Sequence, residues 1–268
     1  MLFELSPQII TIYALTGIFA GVVGGMLGLG GGIVIVPVLH YLFLQQQFPD
    51  SVLMHLAVTT SLTTIIITSV SATYAHHKKE AVLWPVVVRF APGILIGTGI
   101  GAFIADSLSS NVLRITFGIF EILVAIQIWF ELKPKAKVSL PRTAGMIGSG
   151  TGIGLLSTLL GIGGGTLTVP YLLWCNINIR NAVAVSSACG FPIAVAGTTS
   201  LIIAGWDSTD LPAHAVSYLY WPAALIIITM TVFFAPLGAR LAHHLPVRTL
   251  KRFFSILLLV VGIRMLLQ

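Results

Sequence analysis

The pattern of apolar and polar positions predicts a chain built from membrane-spanning helices. A spanning helix needs about 20 mostly apolar residues, and the chain has charge-free stretches over 5–49, 51–77, 90–105, 143–179, 181–206 and 211–239. Some of these are too long for one helix, so we divide them at Gly, Pro and polar clusters. The division predicts segments A to E over 8–27, 33–45, 52–75, 84–105 and 112–130, and segments A′ to E′ over 144–160, 166–175, 182–204, 217–239 and 250–267.

Composition supports this interpretation. Of 268 residues, 14 are Lys or Arg and 8 are Asp or Glu, so charged residues make up 8% and apolar residues 56%. Soluble domains carry roughly 25% charged residues, which cover their surface. A soluble enzyme, a nucleic-acid-binding protein and a disordered chain are therefore excluded, and we predict an all-α polytopic membrane protein embedded in a lipid bilayer.

The basic residues predict the orientation of the segments. Eleven of the fourteen Lys and Arg lie in the connections 76–83, 131–143, 176–181 and 240–252. The positive-inside rule assigns these connections to the cytoplasm and both termini to the outside. The charges leave one alternative open. Two segments that cross the membrane and return leave the chain on the same side as a re-entrant hairpin does. The charges therefore do not decide whether A with B, and A′ with B′, span fully or form re-entrant hairpins.

The two halves of the chain are similar in sequence. Leu27-Gly-Leu-Gly-Gly-Gly-Ile-Val-Ile-Val-Pro37 aligns with Leu160-Gly-Ile-Gly-Gly-Gly-Thr-Leu-Thr-Val-Pro170, with seven of eleven positions identical at an offset of 133. Further matches, such as Trp84-Pro85 with Trp221-Pro222, follow at an offset of 137. We predict a first repeat over 1–130, a basic cytoplasmic linker over 131–143 and a second repeat over 144–268. Each half has an odd number of crossings, so the second is inverted relative to the first, which is a transporter architecture.

The doubled Gly-x-Gly-Gly-Gly…Val-Pro element, followed in each half by small hydroxyl residues, resembles the TauE/SafE sulfite exporter family, also called the toluene-sulfonate uptake permease family. The resemblance covers essentially the whole chain. It implies a transporter of small sulfur-containing anions, such as sulfite or sulfonates, in the inner membrane of a bacterium. Members differ in substrate and direction, so the resemblance decides neither.

The glycine runs are the first candidate site. A backbone break inside hydrocarbon must be buried in protein or line a polar cavity, and the N-terminal amides of the following short segments would point into each break with the positive end of the helix dipole. An alternative is that the glycines only allow tight helix packing. The candidate residues in these breaks are Gly30, Gly31, Gly32, Ile33, Gly163, Gly164, Gly165 and Thr166.

Small hydroxyl residues in segments C and C′ are the second candidate. They can donate hydrogen bonds to anion oxygens without burying a charge, although membrane Ser and Thr often bond a carbonyl of their own helix. The candidates are Thr59, Thr60, Ser61, Ser186 and Ser187.

Few ionisable residues lie inside segments. Glu121 is a candidate for proton coupling or for an ion pair with Arg89, although Arg89 lies near a segment end, where it can extend to the interface. His76 and His77 are predicted to be solvated interfacial residues. No metal-ligand or Walker spacing is present in the sequence, so we expect no cofactor, no metal site and no enzymatic activity.

Together these features predict a transporter that moves a small sulfur-containing oxyanion by alternating access between the two halves. The inside-negative membrane potential favours anion exit, so export is the simpler direction. An anion channel and a proton-coupled importer of a small organic anion stay open as alternatives. Oligomeric state is not predicted.

Overall fold

A computed structural model describes residues 6–27, 31–130, 139–241 and 247–268. About 80% of the structure is helical. In the described residues the helices are α1 (Pro7–Leu27), α2 (Gly32–Gln45), α3 (Leu53–His77), α4 (Trp84–Ser107), α5 (Ser110–Trp129), α6 (Thr143–Leu160), α7 (Gly165–Trp174), α8 (Ile179–Ala204), α9 (Trp221–Leu241) and α10 (Val247–Leu267), with the short strands β1 (Ala215–Val216) and β2 (Leu219–Tyr220) before α9.

The ten helices follow the ten predicted segments, and one boundary is wrong. Segment D′ was predicted to begin at 217, but β1 and β2 pair as an antiparallel hairpin and α9 begins at Trp221. Ser217 has a φ of 52°, which a right-handed helix does not allow. Pro222 is the second residue of α9, a position where the missing N–H of proline costs no helical hydrogen bond.

Six of the described helices, α1, α3, α4, α5, α6 and α8, are long and apolar enough to cross a membrane by length and composition. Large apolar side chains are exposed on their outer surfaces, including Val88, Phe103 and Leu123. A water-soluble protein rarely exposes so much apolar surface, whereas lipid covers it. The prediction of an all-α polytopic membrane protein is confirmed.

Helices α2 and α7 are short. With 14 and 10 residues they extend about 21 Å and 15 Å at 1.5 Å per residue, less than the ~30 Å of the hydrocarbon core. Each follows one of the glycine runs. Neither helix alone can cross a bilayer, which favours re-entrant hairpins over full spans.

The two most extensive helix–helix contacts use equivalent positions of the two repeats. Helix α1 packs on α9, and α6 packs on α4. A Cβ on Gly17 would lie 2.9 Å from the Ile227 carbonyl oxygen, and one on Gly150 would lie 2.7 Å from that of Phe90. Gly17 and Gly150 are 133 residues apart, and Phe90 and Ile227 are 137 apart, the same offsets as in the sequence repeat. The two halves therefore exchange partners, with each first helix packing on the fourth helix of the other half. The boundaries of the halves stay a prediction, and 131–138 of the linker lie outside the described residues.

Helices α3 and α8 pack on each other. In the 18-residue window that makes α3 a candidate span, 72% of the residues are buried, more than in any other described candidate span. The short helices α2 and α7 pack on α3 and α8 respectively. This arrangement buries the described glycines of both runs, including Gly31, Gly32 and Gly161.

The hairpin before α9 is tied to the ends of two other helices. The Tyr218 hydroxyl donates to Asp106 Oδ1 at 2.8 Å and accepts from the Ser208 hydroxyl at 3.0 Å. The ring of Tyr218 lies on that of His55, with centroids 4.7 Å apart. Tyr218 thus joins the end of α4, the start of α3 and the segment after α8.

Candidate functional site

The two glycine runs meet each other. A Cβ on Gly32, at the start of α2, would lie 2.6 Å from the carbonyl oxygen of Gly161 and 3.1 Å from the Cα of Ile162. Only a glycine lets the two backbones approach this closely. The Ser61 hydroxyl donates to the same Gly161 carbonyl at 2.8 Å, so α3 holds the second run in place.

Two of the described glycines need a left-handed backbone. Gly31, the N-cap of α2, has a φ of 72°, and Gly161, at the end of α6, has a φ of 63°. Gly164 occupies the position of Gly31 in the second repeat but has a φ of −56°. The two runs are therefore similar in sequence and different in backbone conformation.

A cavity of about 200 Å³ lies beside the meeting point. Its volume is below the ~300–1,000 Å³ of sites that take drug-sized ligands, so it suits a small solute. Six helices contribute to it, and the residues that line it include Ala20, Gly21, Gly24, Gly25, Gly31, Ile35, Ile65, Thr68, Ser69, Ser71, Ala72, Ala75, His76, Lys79, Gly163, Gly164, Gly165, Ser186, Ser187, Gly190, Thr231, Ala235 and Pro236.

The polar groups at the inner part of this cavity are hydrogen-bond donors. The Ser186 hydroxyl is buried and has no hydrogen-bond partner among the described residues. Gly163, Gly164 and Gly165 lead into α7, whose first-turn amides have no partner within the helix and carry the positive end of its dipole. No Asp or Glu is among the described lining residues. Hydroxyl and amide donors without acidic neighbours can bind the oxygens of an anion.

The structure places six of the predicted site residues together on this cavity: Gly31, Gly163, Gly164, Gly165, Ser186 and Ser187. Of the two serines, Ser187 donates to the Val183 carbonyl of its own helix at 3.0 Å. Ser186 is thus the serine with a free hydroxyl.

Other predicted residues lie nearby but outside the described lining. Gly32, Ile33 and Thr166 are buried at the starts of α2 and α7. Thr60 accepts a hydrogen bond from the Tyr220 amide at 3.1 Å, and Thr59 is buried with an unpartnered hydroxyl. Gly30 lies outside the described residues. The binding role of all these residues stays a prediction.

Glu121 and Arg89 are not brought together. Glu121 is fully buried in α5, and neither carboxylate oxygen has a hydrogen-bond partner among the described residues. Arg89 is exposed on α4. Glu121 is not among the described lining residues of the cavity either, so the structure gives it no contact with a bound solute. Its role in coupling also stays a prediction.

The sequence interpretation missed the lower part of α3. Thr68, Ser69, Ser71, His76 and Lys79 line the cavity, whereas the predicted residues of this segment, Thr59 to Ser61, lie one to two turns before its described lining. A helical spacing of three or four residues places Ile65, Ser69, Ala72 and His76 on one face of α3, and Lys79 follows in the turn after the helix. That periodicity was present in the sequence, but nothing in it indicated which face of the helix meets the cavity.

Within the described residues, no group of three or more His, Cys, Asp or Glu side chains is placed to hold a metal ion. Cys175 and Cys189 are both buried free thiols. The polar groups of the cavity are thus serines, threonines, backbone amides and the basic side chains at one end.

Comparison with known proteins agrees with this architecture. The family model described as Sulfite exporter TauE/SafE matches residues 13–265. A Haemophilus influenzae protein named a probable membrane transporter protein is 36% identical over 97% of this chain and 98% of its own length. The Bacillus subtilis probable membrane transporter protein YunE is 32% identical over 95% of this chain and 96% of its own length. No solved structure matches the chain. These matches span nearly the whole sequence, and the chain belongs to the TauE/SafE sulfite exporter family.

Proposed function

We propose that this membrane transporter carries a small sulfur-containing oxyanion, of the sulfite or organosulfonate class, and that the anion binds in the cavity beside the glycine runs. The observation that carries the proposal is Ser186, a lining residue of the cavity beside Gly164 at the start of α7, whose buried hydroxyl has no hydrogen-bond partner among the described residues. The anion oxygens accept from that hydroxyl and from the first-turn amides. The family description as a sulfite exporter supports the substrate class.

The proposed mechanism is alternating access. The first helix of each half packs on the fourth helix of the other, so the pairs α1 with α9 and α4 with α6 can move as two units around the site. In the described conformation the cavity extends to Lys79, in a connection that the positive-inside rule assigns to the cytoplasm of the bacterial inner membrane. The structure then represents an inward-facing state.

The proposed direction is export. An inside-negative potential contributes about 2.3 kcal/mol per charge per 100 mV, which corresponds to a gradient of roughly fifty-fold for a monovalent anion. Exit therefore needs no coupling ion.

The test is flux of labelled sulfite and of a panel of small sulfonates from proteoliposomes at a clamped membrane potential. We expect saturable flux of at least one anion that increases when the anion-containing side is made negative. Flux that rises linearly with concentration would indicate a channel. Flux that requires a proton gradient would indicate coupled import. No flux of any panel anion by folded protein would exclude the sulfur-anion assignment.

A further inference from the structure

We propose that Lys79 recruits the anion at the mouth of the cavity and determines its preference for negatively charged solutes. This inference rests on the proposed function, because it assigns a further residue to the same transport path. Lys79 belongs to the connection between α3 and α4, where the sequence alone predicts only an orientation signal. Its side chain lines the cavity and is exposed.

Helix α3 connects this mouth to the inner site. Ile65 and Ser69 lie on the buried part of its cavity face, and His76 and Lys79 continue that face to the exposed end. Steps of three and four residues keep Ile65, Ser69 and His76 on one side of α3, and Lys79 follows in the turn after its end. An anion attracted to Lys79 therefore enters the same cavity that contains Ser186.

The backbone that carries Lys79 is held in place by α8. The Arg180 guanidinium donates to the Lys79 carbonyl at 2.6 Å, and the Asn181 amide donates to the Ala81 carbonyl at 3.0 Å. Asn178 in turn caps α8 by accepting from the Asn181 N–H at 2.9 Å. Two side chains from the start of α8, Arg180 and Asn181, thus hold the backbone around Lys79.

The neighbouring lysine is oriented differently. The ammonium of Lys78 lies 4.5 Å from the centre of the Tyr74 ring in a cation–π contact, and Lys78 is not among the described lining residues. Of the described lining residues, Lys79 and His76 are the two with basic side chains. Glu80, although adjacent, is exposed and not among them.

A single positive charge at the mouth changes recruitment by a measurable amount. Two unit charges about 4 Å apart attract each other by ~1 kcal/mol in water, or about fivefold in local concentration. Screening by salt removes this attraction, because the Debye length falls from ~30 Å at 0.01 M to ~3 Å at 1 M ionic strength. We therefore expect the contribution of Lys79 to appear in KM and to be largest at low ionic strength.

The test compares sulfite flux by the full-length protein with Lys79→Gln, Lys79→Glu, Lys79→Arg and the control Lys78→Gln in proteoliposomes of neutral lipid. At low ionic strength we expect KM to rise about two- to fivefold for Lys79→Gln and further for Lys79→Glu, with Lys79→Arg and Lys78→Gln close to the unmodified protein. The differences should disappear near 1 M salt.

A second experiment changes the charge on one folded protein. Lys79→Cys is alkylated either with 2-bromoethylamine, which restores a positive charge through a thioether, or with iodoacetate, which adds a negative charge. Sulfite does not cleave either thioether, and the native thiols Cys175 and Cys189 are buried. The cationic product should recover a low KM and the anionic product should not.

Equal KM values for both alkylated products, or equal changes for Lys78→Gln and Lys79→Gln, would overturn the role of Lys79. If the unmodified protein transports sulfite in those experiments, the proposed function stands while this inference fails. If the unmodified protein transports no panel anion, the proposed function itself fails.

Discussion

At the scale of single residues, two buried serines near the glycine runs have opposite environments. The Ser61 hydroxyl donates to the Gly161 carbonyl at 2.8 Å, whereas the Ser186 hydroxyl has no partner among the described residues. A buried paired hydroxyl stabilises a fold, and an unpaired one costs free energy until something binds it. The first serine therefore has a structural role, and the second is available to a substrate.

This difference predicts different effects on stability. Ser61→Ala should lower the free energy of unfolding by about 1–3 kcal/mol, because the Gly161 carbonyl loses its donor. Ser186→Ala should leave it unchanged or raise it slightly, because an unpaired polar group is removed. Thermal unfolding of both variants in detergent, without substrate, measures this. Equal destabilisation by the two substitutions would contradict the assignment.

The sequence indicated which residue types form the site but not which of their side chains face the cavity. The glycine runs are recognisable because four glycines among five residues break a helix. The rotation of α3 and α8 depends on packing against helices far away in the chain. That is why Thr59 and Thr60 were predicted for the site, whereas Thr68, Ser69 and Lys79 were found on its wall.

At the scale of secondary-structure elements, the helix positions were largely predictable because charges, Pro and Gly mark the ends of apolar segments. The start of α9 was not predictable, because the two-residue strands β1 and β2 that precede it leave almost no periodic pattern in the sequence. The close crossings of helices were not predictable either. Gly93 and Gly97 of α4 face the carbonyls of Ile147 and Thr151 on α6, a contact that depends on tertiary structure alone.

Two glycines of α4 test this crossing. A Cβ on Gly97 would collide with the Thr151 carbonyl, whereas one on Gly99 would meet nothing within 4 Å. Gly97→Ala should therefore destabilise the protein by about 1–3 kcal/mol through overpacking. Gly99→Ala, the matched control, should be neutral or stabilise it by up to about 1 kcal/mol. Thermal unfolding in detergent compares the stability of the two variants. An unchanged stability of Gly97→Ala would show that α4 and α6 are further apart at this crossing than the structure places them.

The hairpin before α9 gives a pH-dependent prediction. Burial raises the pKa of the Tyr218 phenol above its ordinary value, so the folded protein holds the neutral form that donates to Asp106. A raised pKa contributes stability that is present below about pH 10 and lost as the pH rises through the folded-state pKa.

Tyr218→Phe should accordingly lower stability by about 1.5–3 kcal/mol near neutral pH, since it removes a hydrogen bond to a carboxylate. The difference between the two proteins should shrink above about pH 10, because the other titrating groups are common to both. Denaturant unfolding in detergent at a series of pH values measures the difference. A constant difference across that range would refute the contribution of the phenol proton.

At the scale of the whole molecule, two similar halves exchange partners around a central cavity. The repeat was predictable because its offsets of 133 and 137 can be read from the sequence. The exchange of helix partners between the halves was not predictable, because hydropathy alone does not indicate that α1 packs on α9 or α6 on α4. The cavity lies beside the point where the glycine runs of the two halves meet, and Gly164 of the second run and Ser186 of α8 line its buried part.

The proposed transport path requires that the anion binds at Ser186 and the start of α7. The most direct measurement is the KM for labelled sulfite in proteoliposomes at a clamped potential, with Ser186→Ala and Gly164→Ala compared against Thr199→Val. Thr199 is exposed on the same helix as Ser186, and its hydroxyl donates to the Val195 carbonyl at 2.8 Å. A Cβ on Gly164 would lie 3.1 Å from Thr168 Oγ1, a contact close enough to narrow the approach to the α7 amides.

KM should rise by about tenfold or more for Ser186→Ala, because a hydrogen bond to a charged group contributes about 1.5–3 kcal/mol, and it should also rise for Gly164→Ala. Thr199→Val should match the unmodified protein. Unchanged KM values for both cavity variants, with sulfite flux intact, would place the binding site elsewhere in the molecule.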